Sequence, residues 1–195
     1  MNFLFPRSCP ILSSALSPKL SDVRAGHMRF FEVVEERQSV RKYQARELEP
    51  EKLLAILEAV NRAPSAGNFQ SYEIFVVTGE RRQALAGATF EQSFVAQAPV
   101  SLVFCINPSR CEYSPAETYA LEDASIACTF AMLAATAMGL ASCWVGAFAA
   151  EAIAPVIGCP AGVTPVAILP IGYGDEEPER TTRRELSDLV HWVQP

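Results

Sequence analysis

A chain of 195 residues, half of them hydrophobic, has the material for one domain with a substantial core. A formal net charge of −6 without a long basic run argues against a nucleic-acid partner. Two histidines, His27 and His191, and six cysteines without a C-x-x-C pair leave little from which to build a Cys/His metal site.

Residues 1–27 are rich in Ser and Pro and show neither helical nor strand periodicity. The run "ILSSALS" is short and Arg7 is the only basic residue before it, which argues against a signal peptide. The expectation is a disordered extension, or an upstream start with Met28 as the natural first residue, followed by one domain over 28–195. "RFFEVVEER" reads as a short helix ending at Arg37, with Phe30, Phe31, Val33 and Val34 on one side. "EPEKLLAILEAVNRAP" is a clearer helix: Pro50 suits its first turn, Leu53, Ile56, Leu57 and Val60 recur at helical spacing, and Pro64 stops it.

"SYEIFVVT" reads as a strand closed by Gly79, "ERRQALAGA" and "EQSFVAQA" as short helices, and "VSLVFCI" as a strand buried on both faces. "AETYALEDASIACTFAMLAATAMGL" spells the longest helix, ended by Gly139 and apolar nearly all round. In a chain this small, such a helix favours a partner subunit. "ASCWVGAF" and "PVAILPIGYG" read as two more strands, and the tail as a charged loop and a short helix. About four strands thus alternate irregularly with helices in an α/β-type layer packing. No G-x-G-x-x-G opens a helix after a strand, so a dinucleotide-binding Rossmann fold lacks its defining loop. Charge or Pro interrupts every apolar segment before membrane-span length. Cys105, Cys128 and Cys143, inside apolar segments, read as reduced, buried cysteines of a cytoplasmic protein.

Three stretches carry chemistry. In R-x-S-x-R, Arg37, Ser39 and Arg41 fall on one side of an extended segment. Two guanidiniums and a hydroxyl so placed can grip one phosphate; alone, the stretch reads sooner as a solvated basic turn, since such clusters are common. "APSAGNFQSY" (63–72) lies between a helix and a strand. Small residues and Gly67 let backbone approach a flat ligand, and Asn68 and Gln70 add donors and acceptors; alone, it is also an ordinary loop. "GLASCWVGAF" (139–148) has a glycine, Gly146, that makes room for a planar ring; alone, it is also a strand end with a packed Trp144.

Together and in this order, with "PIGYG" and a basic tail before a closing helix, these stretches resemble the nitroreductase family of FMN-dependent oxidoreductases, from about residue 29 to 192. The resemblance implies an α+β, three-layer fold with a central, mostly antiparallel sheet of about four to five strands flanked by helices, in an intertwined homodimer. It implies FMN as cofactor and NADH or NADPH as co-substrate. Arg37 and Ser39, with Gln38 between them, would hold the FMN phosphate, and Arg41 would point to the pyrimidine edge of the ring. Pro64, Ser65, Asn68 and Gln70 would reach the flavin held mainly by the other subunit. Trp144, Val145 and Gly146 would line the ring near N5, and Arg183 would close on the phosphate.

Three departures stand out. Asn68-Phe69-Gln70-Ser71-Tyr72 replaces the family's frequent N-x-Q-P-W, and Val145 stands where some members carry a Glu, leaving only its backbone N–H. The chain is also compact between 107 and 117, so substrate cover is small or different. The implied reaction passes hydride from NAD(P)H to flavin N5 and on to a nitroaromatic, quinone or similar acceptor in a ping-pong cycle, with no side chain required as catalytic acid or base. The alternatives are a non-catalytic FMN- or nucleotide-binding regulatory module, and a dehydrogenase or flavin-modifying enzyme on the same scaffold.

Overall fold

"VSLVFCI" forms the most enclosed strand, β2 (Val100–Ile106), because a run apolar on both faces is stable only when covered on both. Leu102, Val103 and Phe104 are fully buried, each contributing roughly 1.5–3 kcal/mol of transfer free energy. The computed structural model describes residues 30–193, and the expected extension, residues 1–27, lies outside the described residues. β1 (Tyr72–Val77) and β4 (Thr164–Gly172) flank β2, and a two-residue β3 (Ala141–Ser142) closes the sheet in the order β1-β2-β4-β3. Every pairing among these strands is antiparallel. The four strands and their antiparallel pairing match the expected α+β layout.

The helices follow the sequence reading in most places. α1 (Phe30–Glu36), α2 (Pro50–Val60), α3 (Arg81–Gly87) and α4 (Phe94–Gln97) form where periodicity predicts. α2 starts at Pro50, whose missing N–H costs nothing in a first turn. α1 departs from expectation: only Val33 is buried, while Phe30, Phe31 and Val34 stand in solvent in the single chain. α6 (Ala150–Ile157) has no counterpart in the sequence reading. α7 (Leu186–Leu189) is the short closing helix, with no buried residue.

The long helix α5 (Ala116–Ala137) packs on α2 and across the sheet. By length and composition it could cross a membrane, which corrects the reading that no apolar run reaches that length. Its packing is that of a core helix. Ala120, Ala124, Ala127, Ala131 and Ala135 turn inwards with Asp123, so helix and sheet approach closely. The larger Ile126, Phe130, Met132, Leu133 and Met138 are only half-buried, and Leu121 is exposed. An apolar helix with its small residues inside and its large ones on the rim keeps a face for something else to cover.

The predicted strand "ASCWVGAF" shrinks to β3. After Ser142 the chain leaves the ladder and returns only at a one-residue bridge between Val145 and Ile168. Tyr72, at the start of β1, pairs with Ile106 at the end of β2, whereas Ser142 pairs with Ile171 at the end of β4, beside Val100. The entry to β1 and the edge at β3 are therefore diagonal corners of the sheet. They are separated by about 14 Å across the strands and about 20 Å along them.

Candidate functional site

The strip "RQSVRKY" is held on the β3 edge by alternation. Val40 and Tyr43 are buried, while Arg37 and Ser39 are half-buried and Arg41 is exposed. The Val40 N–H donates to the Ser142 carbonyl (3.1 Å), and Ser39 bridges Ser142 in parallel. Further on, the Gln44 N–H donates to the Tyr173 carbonyl (2.9 Å), the Asp175 N–H to the Lys42 carbonyl (2.9 Å), and Tyr43 bridges Gly174. The Tyr43 hydroxyl donates to the Val40 carbonyl (2.9 Å). Its ring lies so close to Gly172 that a Cβ there would sit 3.1 Å from Tyr43 Cδ1 and 2.6 Å from Pro99 Cδ. Seclusion of the Tyr43 phenol raises its pKa well above the ordinary value.

With those anchors inside, Arg37, Gln38, Ser39 and Arg41 face a cavity of ≈ 490 Å³, closed on the far side by the tail from Pro178 to Arg183. Four guanidiniums line it, from Arg37, Arg41, Arg180 and Arg183, against the two carboxylates of Glu35 and Glu179. In a chain of net charge −6 this is a concentrated positive site. The Arg41 backbone N–H donates to the Glu176 carboxylate at 2.5 Å, which ties strip to tail. Arg183 Nη1 donates to Thr181 Oγ1 (2.7 Å). Arg180, which sequence reasoning passed over, donates to the Glu35 carbonyl (3.3 Å) and pairs with Glu36 (3.4 Å). The tail's run of arginines was the available signal, and contact with α1 is what separates Arg180 from Arg183. Gln38 Oε1 is buried without a hydrogen-bond partner, an acceptor left for a ligand or solvent donor.

The third stretch lies beside this cavity. Burial pushes the Cys143 thiol pKa up, and the Arg41 guanidinium and the Ser39 hydroxyl pull the other way, so Cys143 sits against the strip. Trp144 is half-buried against the core and Val145 is buried. The Val145 N–H donates to the Ile168 carbonyl at 2.9 Å. The bridge to β4 consumes that donor, and the exposed backbone next to Trp144 belongs to Gly146.

The second stretch lies elsewhere. None of Pro64, Ser65, Asn68 and Gln70 lines the arginine cavity. They sit in the loop entering β1, at the opposite corner, where Pro64 and Asn68 are exposed and Ser65 and Gln70 half-buried. Three residues there have left-handed backbone: Gly67 (φ 54°), Asn68 (φ 58°) and Gln70 (φ 51°). Ser65 Oγ accepts the Gln70 N–H (3.1 Å). Beneath the loop the carboxylate of Asp123 accepts the Ala66 N–H (2.8 Å) and the Ser71 N–H (3.1 Å). Sequence reasoning did not single out Asp123, although it shares a helical face with Ala120, Ala124 and Ala127. In one chain, then, the first and third stretches meet and the second stands apart.

A family model described as the nitroreductase family matches residues 34–111 and 86–173, together more than half of the chain. An NADH dehydrogenase from Thermus thermophilus is 31% identical over 189 residues, covering 80% of this chain and 92% of its own. The solved structure of nitroreductase A from Vibrio parahaemolyticus superposes with a TM-score of 0.80 at 27% identity, covering 86% of this chain and 76% of that one. The NADPH:FMN oxidoreductase from Vibrio harveyi, solved in complex with NAD+, superposes at 0.79 and 26% identity, over 85% and 77%. With its antiparallel sheet, arginine strip and central helix, the chain belongs to the nitroreductase family.

Proposed function

We propose that this chain is an NAD(P)H-dependent FMN oxidoreductase that works as a homodimer. The observation that carries the reading is the cavity lined by Arg37, Gln38, Ser39, Arg41 and Arg183. Its donor set fits FMN. Paired guanidiniums and a hydroxyl suit a phosphate dianion, and the orphaned Gln38 Oε1 suits a hydroxyl donor of the ribityl chain. Each charge-assisted hydrogen bond is worth about 1.5–3 kcal/mol, enough for three of them to retain the cofactor.

FMN held in this cavity would supply the redox chemistry, hydride transfer from NAD(P)H to an acceptor such as a nitroaromatic or quinone in a ping-pong cycle. The protein's residues bind and orient. Arg37 and Ser39 fix the phosphate, with Arg183 closing from the tail. Arg41 would set positive charge beside the pyrimidine edge, and Trp144 and Gly146 would form the wall on the ring side. Pro64, Ser65, Asn68 and Gln70 are assigned to the ring held by the other subunit. The diagonal separation of the two corners supports that assignment, because a two-fold axis can bring one corner of each copy together. The half-buried Ile126, Phe130 and Met132 on α5, with Met138 just past its end, supply apolar surface for such an interface.

The relatives' names support the cofactors: an NADH dehydrogenase and an NADPH:FMN oxidoreductase. The five described cysteines are all free, which supports a reducing, cytoplasmic setting; recovery in the membrane or secreted fraction would contradict it. The test of function is spectroscopic. Purified protein should bind FMN at micromolar Kd or tighter, about −8 kcal/mol. NADH or NADPH should bleach the flavin band, and an added quinone should restore it. Flavin bound but never bleached would leave only a binding module, and no flavin bound would overturn the reading.

A further inference from the structure

We propose that Asp123 is a positioning residue for the flavin ring, its carboxylate clamping the loop that presents Asn68 and Gln70. This role rests on the flavin reading above. Asp123 is 1% exposed, on a helix whose other inward residues are mostly alanines. A carboxylate so placed is rare unless its lone pairs are used. No salt bridge to a cation satisfies it among the described residues. Its partners are two backbone N–H groups, Ala66 on Oδ1 at 2.8 Å and Ser71 on Oδ2 at 3.1 Å. These amides bracket Gly67, Asn68 and Gln70, all at positive φ.

For a residue with a Cβ, the left-handed conformation costs about 1–2 kcal/mol, so a loop that keeps Asn68 and Gln70 there needs an external tie. One carboxylate holding both ends supplies it, and the Ser65 hydroxyl on the Gln70 N–H braces the middle. The clamp fixes which way the Asn68 and Gln70 side chains leave the loop. It touches neither the phosphate cavity nor any of its lining residues. Asp123 thus acts on the ring through the loop and leaves the phosphate contacts alone.

That separation makes the role testable with two probes, FMN and riboflavin, which share a ring and differ in the phosphate. Asp123→Asn keeps the shape but turns one acceptor into a donor facing an N–H. The expected result is that both flavins weaken about fivefold or more, by the same factor, while the FMN-to-riboflavin affinity ratio stays at the wild-type value. The bound flavin's visible band should shift towards that of free flavin. In flavin-free protein, hydrogen exchange at Ala66 and Ser71 should speed up while that in β2 stays slow. Should Asp123→Asn fail to fold, Asp123→Ser, which retains one acceptor, is read in the same way. Wild-type affinities and spectrum in the variant would overturn the role alone, as would loss of FMN binding with riboflavin unaffected. Wild-type protein that binds neither flavin would overturn the flavin reading and this role with it.

Discussion

The arginine strip and the Asn68 loop sit at diagonal corners of one sheet and are secured in opposite ways. Residues 37–44 are tied redundantly, by backbone pairing to Ser142, Tyr173 and Gly174 and by two buried side chains, Val40 and Tyr43. Residues 64–71 are tied at both ends by one carboxylate from a distant helix, with the Ser65 hydroxyl on the Gln70 N–H and the Asn107 N–H on the Ser71 carbonyl as further ties. The strip behaves as an extra edge strand, rigid because the sheet is rigid. The loop holds an unusual backbone shape largely through side chains, the Asp123 carboxylate and the Ser65 hydroxyl. The contrast suits a phosphate clamp that must be preorganised and a ring contact that must be shaped.

The largest expected effect comes from separating the two corners by separating the subunits. Phe130→Glu places a charge among the half-buried apolar residues of α5 and should cost association about 2 kcal/mol or more. Ultracentrifugation should show monomer, and flavin affinity should fall with it. Arg37→Ala attacks one corner alone. FMN affinity should drop by about 1.5–3 kcal/mol, tenfold or more, while riboflavin binding is unchanged. Fluorescence titration of the two flavins reads both, and equal FMN affinity would remove Arg37 from the phosphate site.

Gly67→Ala attacks the other corner. The new Cβ would meet the Phe69 ring at 2.5 Å and force φ 54° on a residue with a side chain. Stability should fall by about 1–2 kcal/mol, seen in the thermal midpoint, with FMN and riboflavin weakened alike. The smallest effect should come from starting the chain at Met28. The residues assigned to the two corners all follow position 36, so thermal midpoint and flavin content should match the full chain, and a large loss of either would show that the segment packs on the domain.

The strip was legible because its chemistry is local: alternation along an extended segment places Arg37, Ser39 and Arg41 together whatever the rest of the fold does. β2 and α2 were legible for similar reasons, one a continuous apolar run and the other strong helical periodicity with Pro50 in its first turn. What escaped depends on distant partners. β3 stops after Ser142 because only Val145 returns to β4, and the Val145 N–H is lost to Ile168 for the same reason. α6 hides behind an interior proline, Pro155, which argues against a helix in so short a segment although its alanines favour one. Asp123 acts on amides 57 and 52 residues away in sequence, so local spacing gave it no role. Its position on the alanine face of α5 was the legible clue, since a charge there must be buried and must therefore have partners.

The central claim, that each flavin site draws on two chains, is tested most directly by mixing chains carrying lesions at opposite corners. Arg37→Ala and Gly67→Ala chains, co-expressed with different tags, form heterodimers. If each site joins the strip of one chain to the loop of the other, every heterodimer has one site with both lesions and one with neither. A statistical mixture should then show wild-type FMN affinity at about a quarter of its sites, although neither parent shows any. A mixture whose titration is only the sum of the two weakened parents would contradict the claim and place both corners' contributions within one chain.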